Sequence, residues 1–281
     1  MEQQLNQIRD QQRQTWDRFS SGWKKWDAYV MNWLAPVGEE LIRNARLHDA
    51  SHVLDVAGGT GEPGLSAARI ARNGKVTVTD LSDRMLEIAA ENAARRGVTN
   101  FETMQCDAGA MPFGDGSFDA VTCRFGFMFF PDIGLGLKEM VRVSRPGARI
   151  CAAVWGVPDN NPWATTIMAA IAEHVEMPPV PAGAPGLFRC APPGFMASAY
   201  KEAGLDNVVE TEITGEIEFQ APEQYWSFMT EIAAPVVAGL AKADEATREA
   251  IRLTVLERAR QTSKDGKARF RWSARAISGE R

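Results

Sequence analysis

The stretch VLDVAGGTGEPG, Val53 to Gly64, constrains this chain more than any other. Apolar and β-branched residues run into a cluster of glycines and then into a helix-compatible segment, the pattern of a buried strand turning tightly onto a helix N-terminus. Such a turn needs glycine because positive φ is required and because a side chain would keep a ligand off the backbone. Its free N–H groups then face whatever is bound. Gly59, Gly61 and Gly64 also satisfy GxGxxG, so the turn alone leaves the nucleotide undecided.

From Ser51 the chain alternates strand, helix, strand, helix, which predicts a doubly wound α/β fold with a mostly parallel sheet. Strands are expected at His52 to Ala57, Lys75 to Thr79, Phe101 to Cys106, Phe118 to Arg124 and Arg149 to Val154. A helix starts near Pro63 and stops at Asn73-Gly74; a second carries Ser82 as N-cap and stops at Gly97. Residues 1–50 read as an N-terminal helical lid segment, its first helix with an aromatic stripe from Trp16 to Trp33, broken at Pro36 and Gly38 before a second helix at Val37 to Leu47. Most of that stripe is expected to pack on the core, with one or two rings reaching over the ligand. Residues 51–155 form the expected cofactor-binding core, and 156–192 a Pro/Gly-rich insertion or lid. Residues 193–281 complete the core with two β runs (Asn207 to Thr214, Glu216 to Phe219), a helical cap at about 222–263 and a last strand at Ala268 to Ile277.

A formal net charge of −5 argues against nucleic acid as the main partner. The first sixteen residues lack the apolar core of a secretory signal and no run is long enough to span a membrane, so a cytoplasmic protein is expected. The four cysteines are too widely spaced for a metal knuckle, and no metal is expected.

Three acids end successive strands: Asp55 in the first, Asp80 after the second, Asp107 after the third. Open α/β sheets bind ligands at the carboxyl ends of their strands. Asp80 suits a ribose, because a carboxylate can accept from both hydroxyls, but nicotinamide and sulfonium cofactors both carry one. Asp107 discriminates, since a carboxylate there can accept from an exocyclic adenine amine while the Ala108 backbone meets the ring.

Four segments in order, LDVAGGTG (54–61), VTDLSDRMLEIA (78–89), CDAGAMPFGDGSFDAVTCRFGFMFFPD (106–132) and EMVRVSRPGARI (139–150), resemble class I S-adenosylmethionine-dependent methyltransferases of the ubiquinone and menaquinone biosynthesis (UbiE/COQ5-like) group. The resemblance implies a seven-stranded Rossmann-like sheet and S-adenosyl-L-methionine as cofactor. It also implies that Ala57, Gly58, Gly59, Thr60 and Gly61 line the methionine part, with Asp55 shaping the turn. Asp80, Leu81, Ser82 and Met85 are then expected at the ribose and adenine, Cys106, Asp107 and Ala108 at the adenine edge, and Arg124 and Phe125 beneath the sulfonium. Ala57 departs from the group's usual glycine.

Because the cofactor brings its own electrophile, the protein's task is alignment and exclusion of water. Tyr29, Phe127, Phe129 and Trp155 are candidates to face a small methyl acceptor, apolar or aromatic in view of the surrounding composition. His174, in the expected lid, is the one weak candidate for a base; no catalytic residue is assigned. A homodimer is compatible with the same apolar surfaces. Two other classes stay open at this stage: a protein on this fold that binds the cofactor without methylating, or catalyses a cyclisation, and a nicotinamide-dependent oxidoreductase, for which Asp107 would be dispensable.

Overall fold

The computed structural model describes residues 2–177, 179, 181, 183–263 and 265–281. Pro178, Val180 and Ala182, in the Pro/Gly-rich insertion, lie outside the described residues.

Seven strands form one sheet: β1 (His52–Val56), β2 (Lys75–Asp80), β3 (Phe101–Gln105), β4 (Phe118–Arg124), β5 (Ser144–Trp155), β6 (Asp206–Phe219) and β7 (Ala268–Glu280). Their order is β3-β2-β1-β4-β5-β7-β6. The first five pair in parallel; β7 is antiparallel to both β5 and β6. β1 therefore has β2 on one side and β4 on the other, and the direction of winding reverses there, which is where such sheets open a crevice. β1, β2, β4 and β5 have buried central residues because α3 (Gly64–Ile70), α4 (Asp83–Arg95) and α5 (Ile133–Val143) supply crossovers that cover the sheet, whereas β3, at its edge, has none.

Two strand boundaries depart from expectation. The runs on either side of Gly215 are one continuous strand, because the Trp272 indole of β7 lies across that position and leaves no room for a side chain: a Cβ on Gly215 would come within 2.5 Å of the ring. The Arg145-Pro146-Gly147 stop falls inside β5 as an irregularity, where the register moves from Phe118↔Ser144 to Ala120↔Arg149. Gly147 accommodates it at φ +83.

The N-terminal segment is α1 (Glu2–Trp33) followed by α2 (Ala35–Ala45). The break falls at Leu34 and not at Pro36, which sits in the first turn of α2, where its missing N–H costs no helical bond. The other expected helices appear as α6 (Pro162–Ala172), α7 (Phe195–Glu202), α8 (Pro222–Ile232), α9 (Ala234–Leu240) and α10 (Glu245–Arg260). At 32 residues, α1 is about 48 Å long and runs along the carboxyl ends of the strands. It presses on α8 at Gly22, where a Cβ would stand 2.1 Å from the Glu231 carbonyl oxygen. Among the described residues no helix is long and apolar enough to cross a membrane.

Candidate functional site

The turn after β1 is held from below by Asp55. This side chain is wholly buried; one carboxylate oxygen accepts from the Gly64 N–H at 2.9 Å and the other from the Thr122 hydroxyl of β4 at 2.7 Å. The residue thus ties strand, turn and neighbouring strand together. Burial pushes its carboxyl up to about 7, against the pull of those hydrogen bonds and of Arg124. Gly58 and Gly64 are glycines for want of space: a Cβ on either would meet Val78 at 2.4 and 2.6 Å. Gly59 and Gly61 are glycines for conformation, at φ +56 and +113.

Ala57 has the same problem without the same freedom. It holds φ +54, a region that costs an L-residue about 1–2 kcal/mol. Its methyl group packs where Gly126 leaves room; a Cβ on Gly126 would come within 2.7 Å of it.

Asp80, at the end of β2, reaches across the turn. Its carboxylate accepts from the Gly59 N–H at 3.0 Å and from the Ser82 N–H at 2.9 Å, so two flanking segments are clamped on one acid. Burial raises it to about 6 despite these bonds, and the nearby Asp17 adds to the rise. Ser82 caps α4 by accepting from the Met85 N–H, and the Met85 methyl lies 3.4 Å from where a Cβ on Gly59 would stand. The Leu81 carbonyl accepts from the Gln105 side chain of β3 at 2.9 Å. Thr60 is fixed through its carbonyl, which accepts from Asn92 at 2.8 Å. Beyond β3, the Cys106 thiol is pushed up to about 12, chiefly by burial. Asp107 accepts from the Gly109 N–H at 2.8 Å, with Ala108 buried between them. The carboxylates of Asp80 and Asp107 thus end adjacent strands on one side of the glycine turn.

On its other side stand Arg124 and Phe125. The Arg124 guanidinium contacts the Met31 sulfur at 3.0 Å, and desolvation lowers its pKa. Phe125 adopts φ +62, unusual for a bulky residue and a form of strain that collects at functional sites. Its ring stacks on Trp155, at the end of β5, with centroids 4.3 Å apart.

α1 closes over these groups with Trp16, the first ring of the aromatic stripe, and with polar side chains that the sequence did not single out. Arg9 stands 3.6 Å from Asp107, Asp17 accepts from the Ser82 hydroxyl at 2.6 Å, and Trp16 meets Phe129 edge-on at 5.1 Å. Asp27 accepts from Asn92 at 3.2 Å. Nothing in a helical pattern says which strand ends its polar face will meet, so Arg9, Asp17 and Asp27 left no signal. Thr122 could have been found only with the β1–β4 pairing in hand. Asn92 was visible as a polar residue on the apolar face of α4.

Three expected site residues stand elsewhere. Tyr29 packs between Phe219 and Phe228 and donates to the Glu218 carbonyl at 2.5 Å, so it fastens α1 to β6. Phe127 is fully buried against Phe130 and Tyr200. His174 is exposed beyond the C-terminal end of α6, in a recess shared with Glu176, Lys242 and Asp244, because α6 leads away to the helical cap.

With this geometry, the match to known proteins is informative. The model of the ubiE/COQ5 methyltransferase family matches residues 22–165, just over half of the chain. The chain belongs to that family. Within this ubiE/COQ5 family member the matched stretch holds the glycine turn, Asp80, Asp107 and Arg124, whereas Arg9, Trp16 and Asp17 precede it. An uncharacterized protein, Rv1405c, of Mycobacterium tuberculosis is 38% identical over 122 residues, 43% of each chain. The ubiquinone/menaquinone biosynthesis C-methyltransferase UbiE of Cellvibrio japonicus is 37% identical over 111 residues, 39% of this chain and 45% of that protein. The match thus spans less than half the length of these curated relatives. Among solved structures, the YcgJ protein of Bacillus subtilis superposes with a TM-score of 0.56 at 19% identity, over 87% of this chain and 97% of that one, a likeness of fold.

Proposed function

We propose that this ubiE/COQ5 family member transfers the methyl group of S-adenosylmethionine to a small, apolar or aromatic molecule. The observation that carries the reading is the placement of Asp80 and Asp107 at the ends of adjacent strands beside a glycine turn locked by Asp55. The residues fit the cofactor: Gly59 is open on the side away from Met85, the Asp80 oxygens keep lone pairs for two ribose hydroxyls, and Asp107 has an oxygen free of backbone bonds for an adenine amine.

When bound, the cofactor supplies an electrophilic methyl on a sulfonium. Asp80 fixes the sugar and, with its carboxyl near 6, is charged at neutral pH. Phe125 presents an aromatic face at the end of β4, backed by Trp155, which is itself buried between Phe125 and Trp33 and not open to an acceptor; such a face suits a flat or apolar acceptor and a nearby cationic sulfur. α1 excludes water from above. None of the three histidines stands at the strand ends: His48 and His52 lie at the start of β1 and His174 on the cap. The chain's own contribution is therefore binding, orientation and desolvation.

Calorimetric titration with S-adenosylhomocysteine tests the reading. Binding in the micromolar range is expected, and Asp80→Ala should weaken it about 10-fold to 100-fold through the loss of two charge-assisted hydrogen bonds. No binding to the wild-type protein would overturn the proposal.

A further inference from the structure

Away from the strand-end carboxylates, a recess of about 720 Å³ lies between the start of α5 and the segment that leads into α7. Its volume is that of a small-molecule pocket. Pro131 and Ile133 form one wall, Leu187 and Phe188 the other, and Phe195, 41% exposed, stands at its edge. The 186–189 segment is held in place by the Gly186 N–H, which donates to the Met128 carbonyl at 3.0 Å.

One cation lines this mostly apolar space. Arg189 is half-buried, and its guanidinium donates to the Phe130 carbonyl and, at 3.5 Å, to that of Pro131. Among the described residues no carboxylate lies within 4 Å of it. Asp132, in the same wall, is turned to α5, where it accepts from the Leu135 N–H at 3.0 Å. A guanidinium has five N–H donors, and two carbonyls leave the rest without a protein acceptor. The side chain keeps access to the recess, and the nearby acid, Asp132, spends one oxygen on the Leu135 N–H, so an anionic ligand would meet free charged donors there. Burial lowers the Arg189 pKa, consistent with this environment.

We propose that this recess binds an apolar molecule that ends in a carboxylate, with the acid held by the free N–H groups of Arg189 and the hydrocarbon against Ile133, Leu187 and Phe195. The inference does not depend on methyl transfer.

The test is calorimetry of the full chain with decanoate, beside decanol and acetate, which carry only the tail or only the acid. Decanoate should bind and both controls should bind at least 10-fold more weakly. Arg189→Gln should weaken decanoate about 10-fold to 100-fold, the range of a charged hydrogen-bonded pair. Gly186→Leu changes no charge and places its side chain in open space, since nothing lies within 4 Å of a Cβ there. It should abolish decanoate binding while leaving S-adenosylhomocysteine binding and the unfolding midpoint unchanged, which separates a filled site from a misfolded chain. Decanol binding as tightly as decanoate would overturn the acid assignment. Decanoate binding unchanged in both variants, or absent in the wild type, would overturn the site.

Discussion

Replacing Asp55 with asparagine should make the protein more stable at pH 8 and leave it nearly unchanged at pH 4. The carboxyl titrates near 3.8 in the unfolded chain and about 7 in the fold, chiefly because it is completely buried. Its folded pKa is raised, so its contribution to stability is fully present below pH 3.8 and is lost as the pH climbs to about 7. One proton held over that window corresponds to about 4 kcal/mol. Asparagine has nearly the same shape, does not titrate, and can accept from Gly64 through its oxygen while its amide donates to Thr122. The difference in unfolding free energy between variant and wild type should therefore grow by about 4 kcal/mol from pH 4 to pH 8, measured by urea titration at each pH so that all other groups cancel. A difference that stays flat within about 0.5 kcal/mol would refute the argument that burial controls this carboxyl. A variant less stable at pH 8 would show instead that the charged form is needed to hold the turn.

Two further outcomes are expected. Ala57→Gly should stabilise the protein by about 1 kcal/mol by urea unfolding, because it relieves an alanine held at φ +54; a destabilised variant would mean that the methyl group's packing outweighs the strain. Arg9→Ala should leave stability within about 0.5 kcal/mol, since the Arg9–Asp107 pair is partly exposed, yet it should tighten S-adenosylhomocysteine several-fold by freeing Asp107. Unchanged affinity in calorimetry would remove Arg9 from the site.

Much of the sheet was legible because β1 and β2 are short runs rich in apolar and β-branched residues, closed by the glycine turn and by Asp80. Ser82 as a helix cap and Asp80 at a strand end follow from local rules alone. What failed was long-range. Gly215 reads as a break until Trp272 from another strand is seen lying over it, and Tyr29 reads as a ring above a ligand until Phe219 and Phe228 claim it. His174 reads as a candidate base only if the insertion folds back over the crevice. That place is taken by α1, whose crevice-facing residues Arg9, Asp17 and Asp27 look in sequence like any solvated helix surface. Asp55 shows the converse: its position before the glycines was noted, but its restraint by Thr122 requires two strands far apart in the chain to be neighbours.

α1 is a single rod, and that has a mechanical consequence. Its C-terminal third is fastened by Tyr29 to β6 and by Trp33, whose ring stacks on Trp155 with centroids 5.7 Å apart; Gly22 rests directly on the α8 backbone. The five turns before Gly22 carry Arg9, Trp16 and Asp17, which meet Asp107, Phe129 and Ser82. The helix is thus a lever with its fulcrum at Gly22 and a clamped short arm. Under the proposed function, a nucleoside beneath the long arm would be exchanged by tilting or fraying that arm while the sheet and the glycine turn stay still. A bulkier residue at the fulcrum would pry the whole rod from its seat.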